Sequence, residues 1–374
     1  MKKNLLTRTQ TEGHPLIDGN RVTFLWQGDS PPHLVDDLHD WEENPQPLRR
    51  VSAGLFAASF DLARDAYFEY AFYYPETKTR VRDPLNPRRI WNGLGNYNHF
   101  FYMPEASPSP WTIRQRNTPR GTFSLHTIET WMVKFPGKRR VRLYHPPTKE
   151  RVPLLIVYDG PDYFTRGRLP IIVDNLIAAK RIRPIAMAFL PNGGPHRGLE
   201  YACSDATLAW IEHDVLPLAS RELNLVDIKN QPGAFGVLGA SFGGLMSVYT
   251  GLRMPEIFGR VLSQSPVFET EGRDFVAVDL IRHAPLNTDV VRTLAPHASA
   301  GDGIPHSPNL AGFHPAPRIY LDVGAFDFLL EDDRRMIPLL RERGFDLTYH
   351  EYVGAHNYTS WRDHVHLGLE EMFG

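Results

Sequence analysis

Between Asn20 and Arg88 apolar and polar positions alternate with period two, as in Val22-Thr23-Phe24-Leu25-Trp26 and Tyr67-Phe68-Glu69-Tyr70-Ala71-Phe72-Tyr73-Tyr74. A period of two sends successive side chains to opposite faces of a strand, and no long helical stripe interrupts it. Residues 1–105 are therefore expected to form a small all-β sandwich. The turn-rich Asp83-Pro84-Leu85-Asn86-Pro87 closes this region, and Pro104, Pro108, Pro110 and Pro119 punctuate an aperiodic stretch read as a linker over 106–121.

From residue 122 the pattern changes. Two strand-like segments, 123–135 and 139–145, are followed by the short apolar run Leu154-Leu155-Ile156-Val157-Tyr158, which has the character of a strand buried on both faces. Further runs at 185–190, 234–238, 261–263, 319–323 and 347–352 alternate with helical patterns at 168–180, 205–222, from Phe242, 331–343 and 361–372. Strands alternating with helices at this spacing predict a doubly wound, mostly parallel sheet over 122–374.

Gly239-Ala240-Ser241-Phe242-Gly243 falls between a predicted strand and a predicted helix. This Gly-x-Ser-x-Gly pattern in that context is a nucleophile elbow: the glycines let strand and helix approach, and the serine hydroxyl is exposed on a tight turn. A serine needs a base, and the base needs an orienting carboxylate. Asp327, in the loop after strand 319–323, and His356, in the loop after strand 347–352, occupy the carboxyl ends of strands, where such sheets place their sites. Glu331, Asp332 and Asp333 compete as the acid, and His364 and His366 as the base, but the acids sit at a helix start and both histidines fall inside the last helix. An oxyanion would take the N–H of Phe242 and a second donor from the loop Asp159-Gly160-Pro161-Asp162-Tyr163; Pro161 has no N–H, which leaves Gly160, Asp162 or Tyr163.

Residues 120–374 resemble the putative-esterase branch of the α/β-hydrolases, which includes enterochelin (ferric enterobactin) esterases, feruloyl esterases and mycolyltransferases. The resemblance is carried by the elbow with Gly244-Leu245, Asp159-Gly160, Arg197-Gly198-Leu199-Glu200-Tyr201, Gly324-x-x-Asp327-x-Leu329-Leu330 with Arg334, and Gly354-x-His356 with Trp361-Arg362. The first 105 residues are similar to the β-sandwich that precedes the hydrolase domain in enterochelin-esterase-like proteins. The resemblance implies an α/β-hydrolase fold and Ser241, Asp327 and His356 as the triad. Arg197, Tyr163 and Trp361 are the expected substrate contacts. Where many members carry an acid after the histidine, this chain has Asn357.

Composition narrows the rest. With 41 Lys+Arg against 43 Asp+Glu there is no basic excess for nucleic acid, and no run reaches the ~18 apolar residues of a membrane span. One cysteine, Cys203, forms no internal disulfide, and the opening residues lack the ~7–15-residue apolar stretch of a signal peptide, so a cytoplasmic location is expected. Neither a metal nor a cofactor is expected: His283, His297, His306 and His314 in the long 265–317 connection, read as a lid, show no ligand spacing. Lys138, Arg139, Arg140 and Arg142 read as a solvated strand face, and Trp26, Trp41 and Trp91 as packing residues. The predicted activity is acyl-enzyme hydrolysis of a small-molecule carboxylic ester, with an enterobactin-type catecholate lactone as the leading substrate. The alternatives are a feruloyl or acetyl esterase, an acyltransferase, and a binding module with an inactive hydrolase domain. The sandwich is expected to shape substrate choice without supplying catalytic groups.

Overall fold

The computed structural model describes residues 5–93, 95–133, 135–284 and 316–374. Its chain divides into two compact units. The first holds Met1–Pro108 together with two returning segments, Gly324–Phe328 and Glu351–Ser360; the second holds Ser109–Val323, Leu329–His350 and Trp361–Gly374.

In the first unit one sheet has the order Leu16–Asp18, Arg21–Gln27, Leu55–Asp61, Arg49–Ser52. The other runs Gln46–Pro47, His33–Asp36, Tyr67–Tyr74, Tyr97–Tyr102, Arg89–Trp91, with Thr79–Val81 also paired to Tyr67–Tyr74. All the pairings are antiparallel. In strand Arg21–Gln27 Val22 and Phe24 are fully buried on one face, as the alternation predicts, and Leu25 is buried on the other with Leu16 and Leu55. Strand Tyr67–Tyr74 is buried on both faces: Phe68, Tyr70 and Phe72 enter the core with Phe24 and Phe101, while Ala71 and Tyr73 pack with Val35 under Trp41. Phe24 meets Tyr70 edge-on at 4.7 Å. Phe326 and Val353, from the two returning segments, pack on this same core. Helix Leu5–Glu12 precedes the first strand and had no signal in the apolar pattern; none of its residues is buried.

The second unit is built on an eight-stranded sheet in the order Thr122–Thr130, Gly137–His145, Ala186–Phe189, Leu154–Val157, Phe235–Ala240, Phe258–Gln264, Arg318–Gly324, Leu347–Tyr352. The first two strands are antiparallel, and the run from Ala186–Phe189 to Arg318–Gly324 is parallel. From Leu154–Val157 the chain moves first to one side, to Ala186–Phe189, and then to the other, to Phe235–Ala240. The order therefore reverses between Leu154–Val157 and Phe235–Ala240, which are paired Val157 to Leu238. Loops leaving the carboxyl ends of two such strands flank a crevice, the usual ligand position in open α/β sheets.

One detail departs from the sequence reading. The helix expected over 205–222 is interrupted by a π-helical turn, Ile211–Val215, just ahead of Pro217, whose missing N–H cannot continue the α-helical ladder. Parts of the proline-rich stretch are anchored: Asn175 donates to the carbonyls of Trp111 and Ile113, and Gly121 N–H donates to Asp174. No helix among the described residues is long and apolar enough to cross a membrane.

Candidate active site

Ser241 is the single residue between strand Phe235–Ala240 and helix Phe242–Arg253, at φ 59° and ψ −126°. A non-glycine residue there is strained and persists only where its surroundings over-determine it. The neighbouring glycines are required by contact. A Cβ on Gly239 would lie 2.2 Å from the Gly243 carbonyl oxygen, and one on Gly244 3.0 Å from the Gln264 oxygen. Ser241 N–H donates to Gln264 O at 2.9 Å. Its half-buried side chain stands at the first turn of the helix, where backbone N–H groups carry partial positive charge.

Across the sheet reversal, Asp159 adopts φ 49° and starts helix Gly160–Thr165. Arg197 grips its carboxylate from Nε and Nη2 at 2.7–3.0 Å, Asn192 donates to it, and Asp159 N–H donates to the Tyr201 hydroxyl. The Arg197-Gly198-Leu199-Glu200-Tyr201 motif is thus a set of struts: Arg197 and Tyr201 hold Asp159, and Glu200 pairs with Arg139. Of the basic stretch 138–142, Arg139 is spent on that pair and Arg142 lies 4.0 Å over the Phe164 ring. The N–H of Gly160 donates to Leu190 O at 2.7 Å, and those of Asp162 and Tyr163 donate to Asp159 O at 2.9 and 3.1 Å. All three candidate second donors are therefore engaged within the protein.

Tyr163 and Trp361 lie inside the unit, not on a surface open to substrate. Tyr163 is fully buried and donates from its hydroxyl to Gln264 Oε1; burial pushes that phenol well above its ordinary pKa, so it stays a donor. Gln264 Nε2 donates to the Asp322 carboxylate and to Trp361 O, and Trp361 Nε1 donates to Ser265 Oγ. Gln264 and Asp322 were missed in the sequence: Gln264 ends its apolar strand and Asp322 interrupts one between Leu321 and Val323, so a polar residue at the carboxyl-terminal part of such a run was the available signal. Cys203 is half-buried, and burial pushes its thiol up to about 12, which leaves it unreactive.

Within the first unit, His356 Nδ1 lies 3.0 and 3.1 Å from the two carboxylate oxygens of Asp327. The Asp327 carboxylate is inaccessible, whereas His356 keeps 19% of its side chain exposed. Ala325 N–H donates to Tyr352 O and Phe326 N–H to Gly354 O, and a Cβ on Gly324 would meet Gly354 O at 2.3 Å. The two loops are therefore locked to each other by backbone contact. Asn357 accepts from Ser360 N–H at 2.9 Å, capping the final helix, and Ser360 Oγ accepts from Ala355 N–H. Phe328 lies 4.7 Å from the His356 ring. A cavity of about 230 Å³ beside the pair is lined by Asp37, Leu38, Asp40, Trp41, Phe328 and His356. Among the competing acids Glu331 is bridged to Arg334 at the helix surface, and His364 and His366 lie within helix Tyr358–Phe373. Trp26 packs on Phe72, Trp41 lies under Arg80, and Trp91 is 42% exposed beside Tyr97. The described residues contain no group of three or more His, Cys, Asp or Glu arranged to hold a metal. Most of the 265–317 segment read as a lid, with His297, His306 and His314, lies outside the described residues.

Comparison with known proteins adds independent findings. The family model described as Putative esterase matches residues 133–370. The iron(III) enterobactin esterase of Dickeya dadantii is 27% identical over 289 residues, 75% of this chain and 62% of that protein. The iron(III) enterobactin esterase of Escherichia coli K12 is 27% identical over 191 residues, 50% of this chain and 46% of that protein. The matches thus span less than two thirds of these relatives' own lengths. Among solved structures, the enterobactin esterase from Shigella flexneri in the presence of enterobactin superimposes with TM-score 0.74 at 20% identity, covering 100% of this chain and 99% of that one. Ferric enterobactin esterase from Salmonella typhimurium gives TM-score 0.74 at 20% identity, covering 99% and 98%. The fold is therefore that of an α/β-hydrolase preceded by a β domain.

Proposed function

The chain belongs to the Putative esterase family, and from that premise we propose that it hydrolyses carboxylic esters through an acyl-enzyme formed on Ser241. The observation that carries this reading is the strained elbow, which holds Ser241 at the head of a helix. His356 takes the serine proton as Oγ attacks the ester carbonyl, and Asp327 holds the resulting imidazolium. The oxyanion is assigned to Phe242 N–H and the positive end of its helix, since the N–H groups of Gly160, Asp162 and Tyr163 are already donated. His356 then returns the proton to the leaving alcohol and activates water for deacylation.

The names of the relatives favour an enterobactin-type ester as substrate, and the full-length likeness to enterobactin esterase structures, β domain included, is consistent with a large one. The proposed site of action is the cytoplasm. Ser241→Ala should stay folded and lose about 10⁴-fold or more of kcat on p-nitrophenyl acetate, and a fluorophosphonate should label the parent protein at Ser241 but not the variant. Retained activity or absent labelling would overturn the reading. A panel of ferric enterobactin, a feruloyl ester and short alkyl esters then tests the substrate assignment, which fails if ferric enterobactin is not cleaved.

A further inference from the structure

Three chain segments meet at the Arg197 guanidinium. Nε and Nη2 donate to both oxygens of Asp159, and Nη2 also donates to the Ala240 carbonyl at 3.2 Å. The guanidinium carbon lies 6.0 Å from the Phe242 ring centroid and 5.6 Å from that of Tyr201. Ala240 and Phe242 flank Ser241, so the peptide entering the nucleophile is held at both poles: its carbonyl accepts from Arg197 and its N–H donates to Gln264 O at 2.9 Å. Rotation of that peptide would change the φ of Ser241, which sits at +59°. On the far side Asp159 is anchored by Asn192 and Tyr201, and its carboxylate lies where a Cβ on Gly243 would approach it to 3.1 Å. Its side chain is 1% exposed. A guanidinium in bidentate contact with a buried carboxylate has its charge balanced, which suits it poorly to capture an anionic substrate.

We infer that Arg197 is a positioning residue: locked on Asp159, it braces the Ala240–Ser241 peptide and aims the serine, and it does not bind substrate. The inference rests on the reading of Ser241 as nucleophile. The requirement is for the planar fork, which reaches a carboxylate and a carbonyl at once; an ammonium makes only point contacts.

The test compares Arg197→Gln, Arg197→Lys and Asp159→Asn on p-nitrophenyl acetate, which offers a guanidinium no charge to bind. Arg197→Gln should lower kcat by about 10²-fold with KM within about threefold, and phosphonylation of Ser241 by a neutral fluorophosphonate should slow in parallel. Arg197→Lys should recover only part of that loss. Asp159→Asn should resemble Arg197→Gln, and the double variant should be little worse than the poorer single, because the two residues act as one brace. Circular dichroism and a melting curve accompany each. Should Arg197→Gln not fold, the same split is read from Arg197→Lys. An unchanged kcat on the neutral ester with a raised KM only for an anionic ester would overturn the inference, as would losses that multiply in the double variant. If instead Ser241→Ala keeps activity, the esterase reading itself fails.

Discussion

In the sandwich unit, buried polar groups run through the middle of the core. His14 Nε2 accepts from Leu25 N–H, which leaves its proton on Nδ1, donated to Asp83 at 2.9 Å; Tyr70 donates to the same carboxylate, and Asn86 donates to Tyr70. In the hydrolase unit, Asp159, Gln264, Ser265 and Asp322 instead gather at or near the carboxyl ends of the parallel strands. The contrast separates two uses of a buried polar group. One joins distant stretches of a small sandwich into a single arrangement; the other holds reactive turns in conformations they would not adopt unaided.

The sharpest way to break the contrast is at the elbow. Gly239→Ala forces a Cβ into the Gly243 carbonyl, and the cost should be about 4 kcal/mol or more in urea denaturation, with loss of fluorophosphonate labelling. A loss below about 1 kcal/mol would mean the strand and helix are not tightly apposed. Next in size is Asp83→Ala, expected to cost about 3–5 kcal/mol because it strands the buried donors of His14 and Tyr70. Burial alone would raise the Asp83 pKa, but the hydrogen bonds from His14 and Tyr70 outweigh it and hold the carboxyl below the usual range. A depressed carboxyl contributes stability above its unfolded value of about 3.9 and loses it as pH falls through the folded value, so the variant should lack this acid-side decline.

The smallest effect tests the opposite sign within the same unit. Burial, reinforced by the Glu69 charge, pushes the Asp37 carboxyl well above its ordinary pKa. Its contribution is present below about 3.9 and is lost as pH rises toward the folded value. Asp37→Asn should therefore melt a few degrees higher at neutral pH, with the difference vanishing near pH 4. A difference that grew on acidification would refute the assignment.

Patterning made the layers legible because strands and helices repeat their apolar positions, and the Gly-x-Ser-x-Gly spacing was legible because contact distances leave no choice at Gly239 and Gly244. Depth was not. Tyr163 and Trp361 read as substrate contacts, yet burial depends on what folds over them, and Gln264 and Ser265 are far away in sequence. Asp83-Pro84-Leu85-Asn86-Pro87 reads as a turn-rich element; the burial of its Asp83 side chain depends on His14, 69 residues earlier. Asn357, a departure from the family pattern, has its reason in the Ser360 N–H it caps. The grouping of Asp327 and His356 with the sandwich was equally hidden, since it turns on two loop residues, Phe326 and Val353, that carry no periodicity.

Phe326 precedes Asp327 in the chain and packs its ring toward Phe68 of the sandwich, with centroids 6.3 Å apart. For a lineage of such proteins this restricts inheritance: the sandwich cannot be deleted, or exchanged for another as a cassette, without unseating the residue next to the acid. A shortened chain starting near Gly121 would keep the serine turn but lose the apolar bed under the Asp327 and His356 loops. Recombination within the family should therefore succeed when residues equivalent to Phe68, Phe326 and Val353 travel together, although more than 250 positions separate the first from the others.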